Sequence, residues 1–187
     1  MGTFKFHRPV DGLALTQSQL IDYIFPVLKH ERIGWIIEIG TWQGGVAMFL
    51  RQMFPKTPVY TFDIIEHKQK LRRKRLYKKH DIDYFIGDVF ISTKIHELLK
   101  SDKKILLLCD GGHKINEFTY FAPLMKKGDI IGMHDFAINR KSIIRNAWTS
   151  CIESTEDDIK HFLGTRVKRY RYFDAFLVVV WGMYIKL

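Results

Sequence analysis

Cysteine is scarce. The chain holds two, Cys109 and Cys151, too few for a disulfide scaffold or a four-cysteine zinc site. Cys109 lies in an apolar run and reads as a small core residue. Long hydrophobic runs are lacking too. The longest, Phe176 to Ile185, is about half of the ~20 residues a membrane helix needs, and no N-terminal stretch is apolar in the manner of a signal peptide. These absences predict a soluble protein in a reducing, cytoplasmic setting with no membrane partner. There is no internal repeat and no low-complexity linker. The 187 residues therefore read as an N-terminal arm over 1–15, where no periodicity shows, and one domain over 16–187.

What the chain does have is apolar residues and positive charge. Hydrophobic residues make up 47%, enough for a core without staples and too many for a disordered chain. The 30 Lys and Arg exceed the 20 Asp and Glu, for a net charge of +10, which favours acidic partners such as nucleic acid or phosphate groups. Much of the excess sits in Lys68–Lys79, KQKLRRKRLYKK. With only Leu71, Leu76 and Tyr77 as anchors, that helix reads as a solvated face. The competing reading is a phosphate-binding stripe for RNA or DNA. Aromatic residues interleaved with basic ones, as in a single-strand platform, are mostly absent there.

Periodicity gives alternating elements. Thr16 and Gln19 have capping-box spacing, so a helix is expected to about Lys29. Strands are expected at 35–39, 59–64, 84–86, 105–109 and 129–133. Helices are expected at 45–54, 68–79, 92–99, 116–125, within 141–152 and at 156–163. Two closing strands, 167–172 and 175–185 with a turn near Asp174, lack a helix between them and imply an antiparallel hairpin. Strand–helix alternation with short links implies parallel pairing. The expected fold class is α/β: a three-layer sandwich around a Rossmann-like, seven-stranded, mostly parallel sheet.

Ligands of such sheets bind beyond the carboxyl ends of the strands. The first strand ends in Glu38-Ile39-Gly40-Thr41-Trp42-Gln43-Gly44-Gly45, a turn that lets a ligand approach the backbone and the free N–H groups of the next helix. The spacing is not G-x-G-x-x-G, which argues against a dinucleotide. Asp63, 23 residues after Gly40, ends the second strand, where an acid can accept from two ribose hydroxyls. Asp88, in Gly87-Asp88 after the third strand, is a further acceptor. Together they describe an adenosine-type site.

In the second half, Cys109-Asp110-Gly111-Gly112-His113 follows the fourth strand and Gly132-Met133-His134-Asp135 the fifth. Asp110, His134 and Asp135 stand at adjacent strand ends, and two carboxylates with an imidazole suit a divalent cation. A blander reading makes the acids helix caps. His113, a turn beyond Asp110, is placed to take a proton. Tyr120 and Trp42 read as core or pocket wall.

These motifs resemble the class I S-adenosylmethionine-dependent methyltransferases: IIEIGTWQGG their first motif, the Asp63 strand end their second, and IGD their third. The stretches QLIDYIFPVLKHERIGWIIEIGT and DGGH…APLMKKGDIIGMHDF resemble the cephalosporin-hydroxylase-like and macrolide-sugar O-methyltransferase group. The resemblance implies S-adenosylmethionine held by Glu38, Gly40, Thr41, Gly44, Gly45, Asp63, Ile64, Asp88, Val89 and Asp110. It also implies Mg²⁺ or Mn²⁺ on Asp110, His134 and Asp135, and His113 as the base. Two residues depart from the pattern. His134 stands where a carboxylate is usual, and Val46 where Ser is expected. The expected function is metal-assisted O-methylation of a small-molecule or sugar hydroxyl. The alternatives are a nucleic-acid methyltransferase using the basic helix and a non-catalytic binding protein of the same fold.

Overall fold

A computed structural model describes residues 8–11, 13–15, 21–67, 70–139 and 152–187. The N-terminal half runs through β1 (Arg8–Val10), β2 (Leu13–Leu15), α1 (Ile21–Ile24), β3 (Trp35–Ile39), α2 (Gly45–Met53), β4 (Val59–Asp63), α3 (Lys70–His80) and β5 (Ile82–Ile86). The rest comprises α4 (Thr93–Leu99), β6 (Ile105–Cys109), α5 (Lys114–Phe121), β7 (Ile130–Met133), β8 (Phe136–Ala137), β9 (Ser154–Thr155), α6 (Glu156–Ile159), β10 (Val167–Arg169), α7 (Phe173–Leu177) and β11 (Gly182–Lys186).

The main sheet has seven strands in the order β10-β11-β7-β6-β3-β4-β5. β7, β6, β3, β4 and β5 pair in parallel, while β11 is antiparallel to β7 and to β10. The expected Rossmann-like arrangement with its antiparallel end pair is what forms. Strand alternation then makes two cores. Ile36, Leu106 and Leu108 face α2, Tyr77 of α3 and Phe176 of α7. Ile37, Ile39, Leu107 and Cys109 face α4, α5 and α6. Strands covered on both faces need apolar residues at every position, as β6 has, because neither face meets water. The chain winds from β3 toward β5 on one side and from β6 toward β7 on the other, so the switch point lies between β3 and β6.

Three segments differ from the sequence expectation. The described part of 1–15 is an antiparallel β1–β2 hairpin, with Val10 and Leu13 in the core, rather than an irregular arm. The first helix changes at Phe25 into 3-10 turns over Phe25–Glu31, because Pro26 has no N–H to bond the carbonyl of Asp22. Its expected cap, Thr16 to Gln19, lies outside the described residues, as does most of the helix expected within 141–152. The strand expected over 175–185 is α-helical at its start. Phe173 and Phe176 are buried at helical spacing, and only Gly182–Lys186 extends. No helix among the described residues is long and apolar enough to cross a membrane.

Candidate active site

The ends of β3 and β6 touch. The Asp110 N–H donates to the Ile39 carbonyl at 2.9 Å. Gly40 follows with φ +96°, and a Cβ there would collide with the Asp110 carbonyl. Only glycine fits, for both reasons. The glycine turn and the first residue of the acidic cluster are thus neighbours across the switch point, where ligands of such sheets bind.

On one side of this crevice is the loop 40–45. Glu38 beneath it is fully buried. Its Oε2 accepts from the Thr61 hydroxyl, and the Thr61 and Thr41 hydroxyls lie 2.5 Å apart. Since Thr61 gives its one proton to Glu38, Thr41 donates to Thr61. Glu38 Oε1 has no partner among the described residues. Burial, with Asp110 and Asp63 adding to it, pushes the Glu38 carboxyl well above the usual range despite the Thr61 bond. Gly44, with φ +93°, precedes Gly45 at the start of α2, and the first N–H groups of that helix lack intrahelical partners.

Asp63 ends β4 facing this loop. Its Oδ2 accepts the Trp42 N–H at 2.7 Å and its Oδ1 the Ile65 N–H at 3.2 Å. His67 Nε2 lies 3.3 Å from Oδ2. The carboxylate therefore fixes the glycine turn as well as facing the crevice, a second role that spacing alone does not reveal. Asp88 is exposed and accepts the Phe90 N–H at 2.9 Å, capping a short 3-10 turn that starts at the buried Val89. Ile64 and Ile86, at neighbouring strand ends, are 70% and 48% exposed. They form an apolar border beside Asp63.

The basic helix departs from expectation at one position. Lys70, Arg72, Lys74, Arg75, Lys78 and Lys79 are exposed, as a solvated face requires, but Arg73 is fully buried against the loop. Composition hides this, because a helix with so many exposed cations gives no sign which one turns inward.

On the other side of the crevice, His134 Nδ1 lies 2.8 Å from Asp110 Oδ1 and 3.3 Å from Asp135 Oδ1. One donor atom from each of the three lies within 4.8 Å of the others. One ion ~2.0–2.6 Å from each donor fits such a spread. The imidazole favours Mn²⁺ or a softer ion over Mg²⁺. Asp135 is no helix cap. It sits in a left-handed turn with φ +51°, and its carboxylate faces His134 Nδ1 and Lys114 Nζ. Burial pulls the His134 pKa down, but Asp110 and Asp135 outweigh it and the net shift is upward.

Lys114 is the residue that sequence reading missed. It is 7% exposed. Its Nζ lies 3.2 Å from Asp135 Oδ2, 2.8 Å from Glu153 Oε2 and 3.0 Å from the Gly111 carbonyl. A lysine right after the expected base, at the start of a helix, carries no signal of its own in one sequence. His113 itself is exposed at the N-terminus of α5. Its N–H donates to Glu117 Oε1 at 3.3 Å. With Gly112, Lys114, Ile115, Asn116 and Glu153 it lines a pocket of about 250 Å³. Tyr120, expected as core or wall, is 42% exposed and donates to the Phe90 carbonyl at 3.2 Å.

Residues 24–168 match the profile of the rhamnosyl O-methyltransferase/CmcI family. The chain belongs to that family. Membership carries the activity class, S-adenosylmethionine-dependent O-methyl transfer, EC 2.1.1.-. No curated protein matches the sequence. Solved structures share the fold. A Staphylococcus aureus protein assigned as a caffeoyl-CoA O-methyltransferase superposes with TM-score 0.61 at 12% identity, covering 92% of this chain and 85% of that one. TomG from Streptomyces achromogenes, an O-methyltransferase of tomaymycin synthesis solved with S-adenosylmethionine, gives 0.55 at 14%, covering 86% and 75%. A Bacillus cereus O-methyltransferase solved with S-adenosylhomocysteine gives 0.55 at 17%, covering 79% and 70%. Neither the nucleic-acid nor the non-catalytic alternative gains support from these matches.

Proposed function

We propose that this chain methylates a hydroxyl oxygen of a small polar molecule such as a sugar, with a divalent cation held by Asp110, His134 and Asp135. The observation that carries this reading is the contact of Gly40 with Asp110, because it sets a donor loop and a cation-suited cluster side by side.

The donor lies over loop 40–45. Glu38, whose Oε1 has no other partner among the described residues, accepts from the donor's ammonium group directly or through water. Asp63 accepts from a ribose hydroxyl with the lone pair that Trp42, Ile65 and His67 leave. Asp88, Ile64 and Val89 border the adenine, and Thr41, Gly44, Gly45 and Asp110 complete the cradle. The acceptor enters by the pocket that His113 and Lys114 line. A cation on the cluster, when bound, supplies positive charge that lowers the pKa of the acceptor hydroxyl. His113 takes the hydroxyl proton. The oxygen forms its bond to the methyl carbon as the sulfur–carbon bond breaks in line, and S-adenosylhomocysteine is left. Holding both partners in one geometry supplies much of the acceleration.

The test uses S-adenosylmethionine labelled in its methyl group and a panel of free and conjugated sugars and phenols. The reading expects label in an acceptor hydroxyl, loss of transfer in EDTA, and recovery with Mn²⁺ at least as well as with Mg²⁺. Transfer at full rate in EDTA contradicts the metal part. Label found on nitrogen, or on RNA, contradicts the acceptor part.

A further inference from the structure

Trp42 is held from both sides. Its N–H donates to Asp63 Oδ2 at 2.7 Å, and its carbonyl accepts from Arg73 Nη1 at 3.1 Å. Its φ is +46°, a left-handed conformation that costs a residue with a Cβ energy and persists only where the surroundings impose it. The two bonds fix both peptide groups flanking that strained residue.

Arg73 is built for this task. The side chain is fully buried. Its guanidinium stacks over the Tyr84 ring at 4.7 Å, and Nη2 reaches Tyr84 Oη at 3.3 Å and Glu66 Oε1 at 3.4 Å. With Nη2 held by two acceptors and the guanidinium over the Tyr84 ring, Nη1 is turned toward the Trp42 carbonyl, while Nε has no partner among the described residues. Tyr77, one turn along α3, donates to the Gly44 carbonyl at 3.3 Å. A Cβ added at Gly44 would meet Tyr77 Oη at 2.5 Å and Arg73 Cδ at 3.1 Å. The helix lies directly on the loop.

We propose that Arg73 is a positioning residue for the donor loop: by fixing the Trp42 carbonyl it holds loop 40–45 in the shape that receives S-adenosylmethionine. The inference rests on the donor reading above, and the basic helix thereby has one cation serving the site and six in solvent.

The experiment compares Arg73→Met, Arg73→Lys and Arg51→Met with the wild-type protein. Arg51 is the matched control. It anchors the far end of α3 by donating to the carbonyls of His80 at 2.6 Å and Thr57 at 3.0 Å, without touching the loop. Calorimetry with S-adenosylhomocysteine should show a loss of about 10- to 100-fold for Arg73→Met, the range for a lost charge-assisted hydrogen bond. Arg73→Lys should fall between, since an ammonium can reach one carbonyl but cannot stack as a fork. Arg51→Met should bind as the wild type does. Deuterium exchange of the unliganded proteins gives a second readout, with uptake over residues 40–45 rising in Arg73→Met and not in Arg51→Met. Wild-type affinity and exchange in a folded Arg73→Met protein overturn the proposal, and so does an equal loss of affinity in Arg51→Met. If Arg73→Met does not fold, Arg73→Lys decides, and wild-type values there overturn it. If the wild type binds no S-adenosylhomocysteine, the donor reading fails by itself. The exchange comparison still decides whether Arg73 holds the loop.

Discussion

Lys114 Nζ sits 3.2 Å from Asp135 Oδ2, so the acidic cluster carries its own ammonium. Burial pulls the Lys114 pKa down, but Glu153, Asp110 and Asp135 outweigh it and keep the group charged. The two carboxylates around the His134 imidazole are thus partly neutralised by a side chain of the chain itself, as buried charges require.

Replacing that ammonium should expose the repulsion it offsets. Lys114→Met is expected to lose about 1–2 kcal/mol of folding stability in EDTA, a charged hydrogen bond's worth, discounted because Glu153 is more than half exposed and screened. Mn²⁺ should restore most of the loss. Urea titrations with and without the ion check this, and equal stability of mutant and wild type in EDTA would show that Lys114 does not balance the cluster.

The proposed cation-binding and base roles separate by mutation. Asp135→Ala should stay folded yet lose both activity and its response to Mn²⁺. His113→Ala should keep that response and lose rate by about 10²–10⁴-fold, the usual size of general-base assistance. Manganese binding followed by electron paramagnetic resonance, alongside turnover, distinguishes the two. An unimpaired His113→Ala enzyme would leave the proton to another group.

Glu117 makes a pH prediction. Burial pushes its pKa up to about 7 against the lowering pull of the His113 and Gly111 N–H groups. The folded state therefore keeps a proton that the unfolded state loses near its ordinary value of 4.5. Its contribution to stability is full below that value and is lost as pH rises toward 7, an effect on the order of 2–3 kcal/mol. Glu117→Gln should remove this slope. Urea unfolding of both proteins at about pH 5 and about pH 8 measures the difference, and parallel slopes would contradict it.

Much of this was legible in the residues. β6 announces itself because both its faces are covered and every position is apolar. The glycine turn, Asp63 and the strand-end acids follow from where such sheets bind ligands. What was not legible depends on tertiary context. Val178–Val180 are β-branched and suggest strand, yet Phe173 and Phe176 bury as a helix because the chain must turn before β11. Arg73 carries the same charge as its exposed neighbours, and only the packing of α3 on Gly44 turns it inward. Asp63 shows its position in the sequence but not its bond to Trp42, since that partner comes from a loop whose shape no local pattern fixes.

The most direct test of the account is calorimetry of S-adenosylhomocysteine against the wild type and Asp63→Ala. Asp63 accepts the Trp42 N–H at 2.7 Å and is the carboxylate to which the proposed ribose contact is assigned. One molecule should bind per chain, with affinity reduced in the mutant by ~1.5–3 kcal/mol or more, and NAD should give no heat. Unchanged affinity in a folded Asp63→Ala protein, or no binding by the wild type, would contradict it.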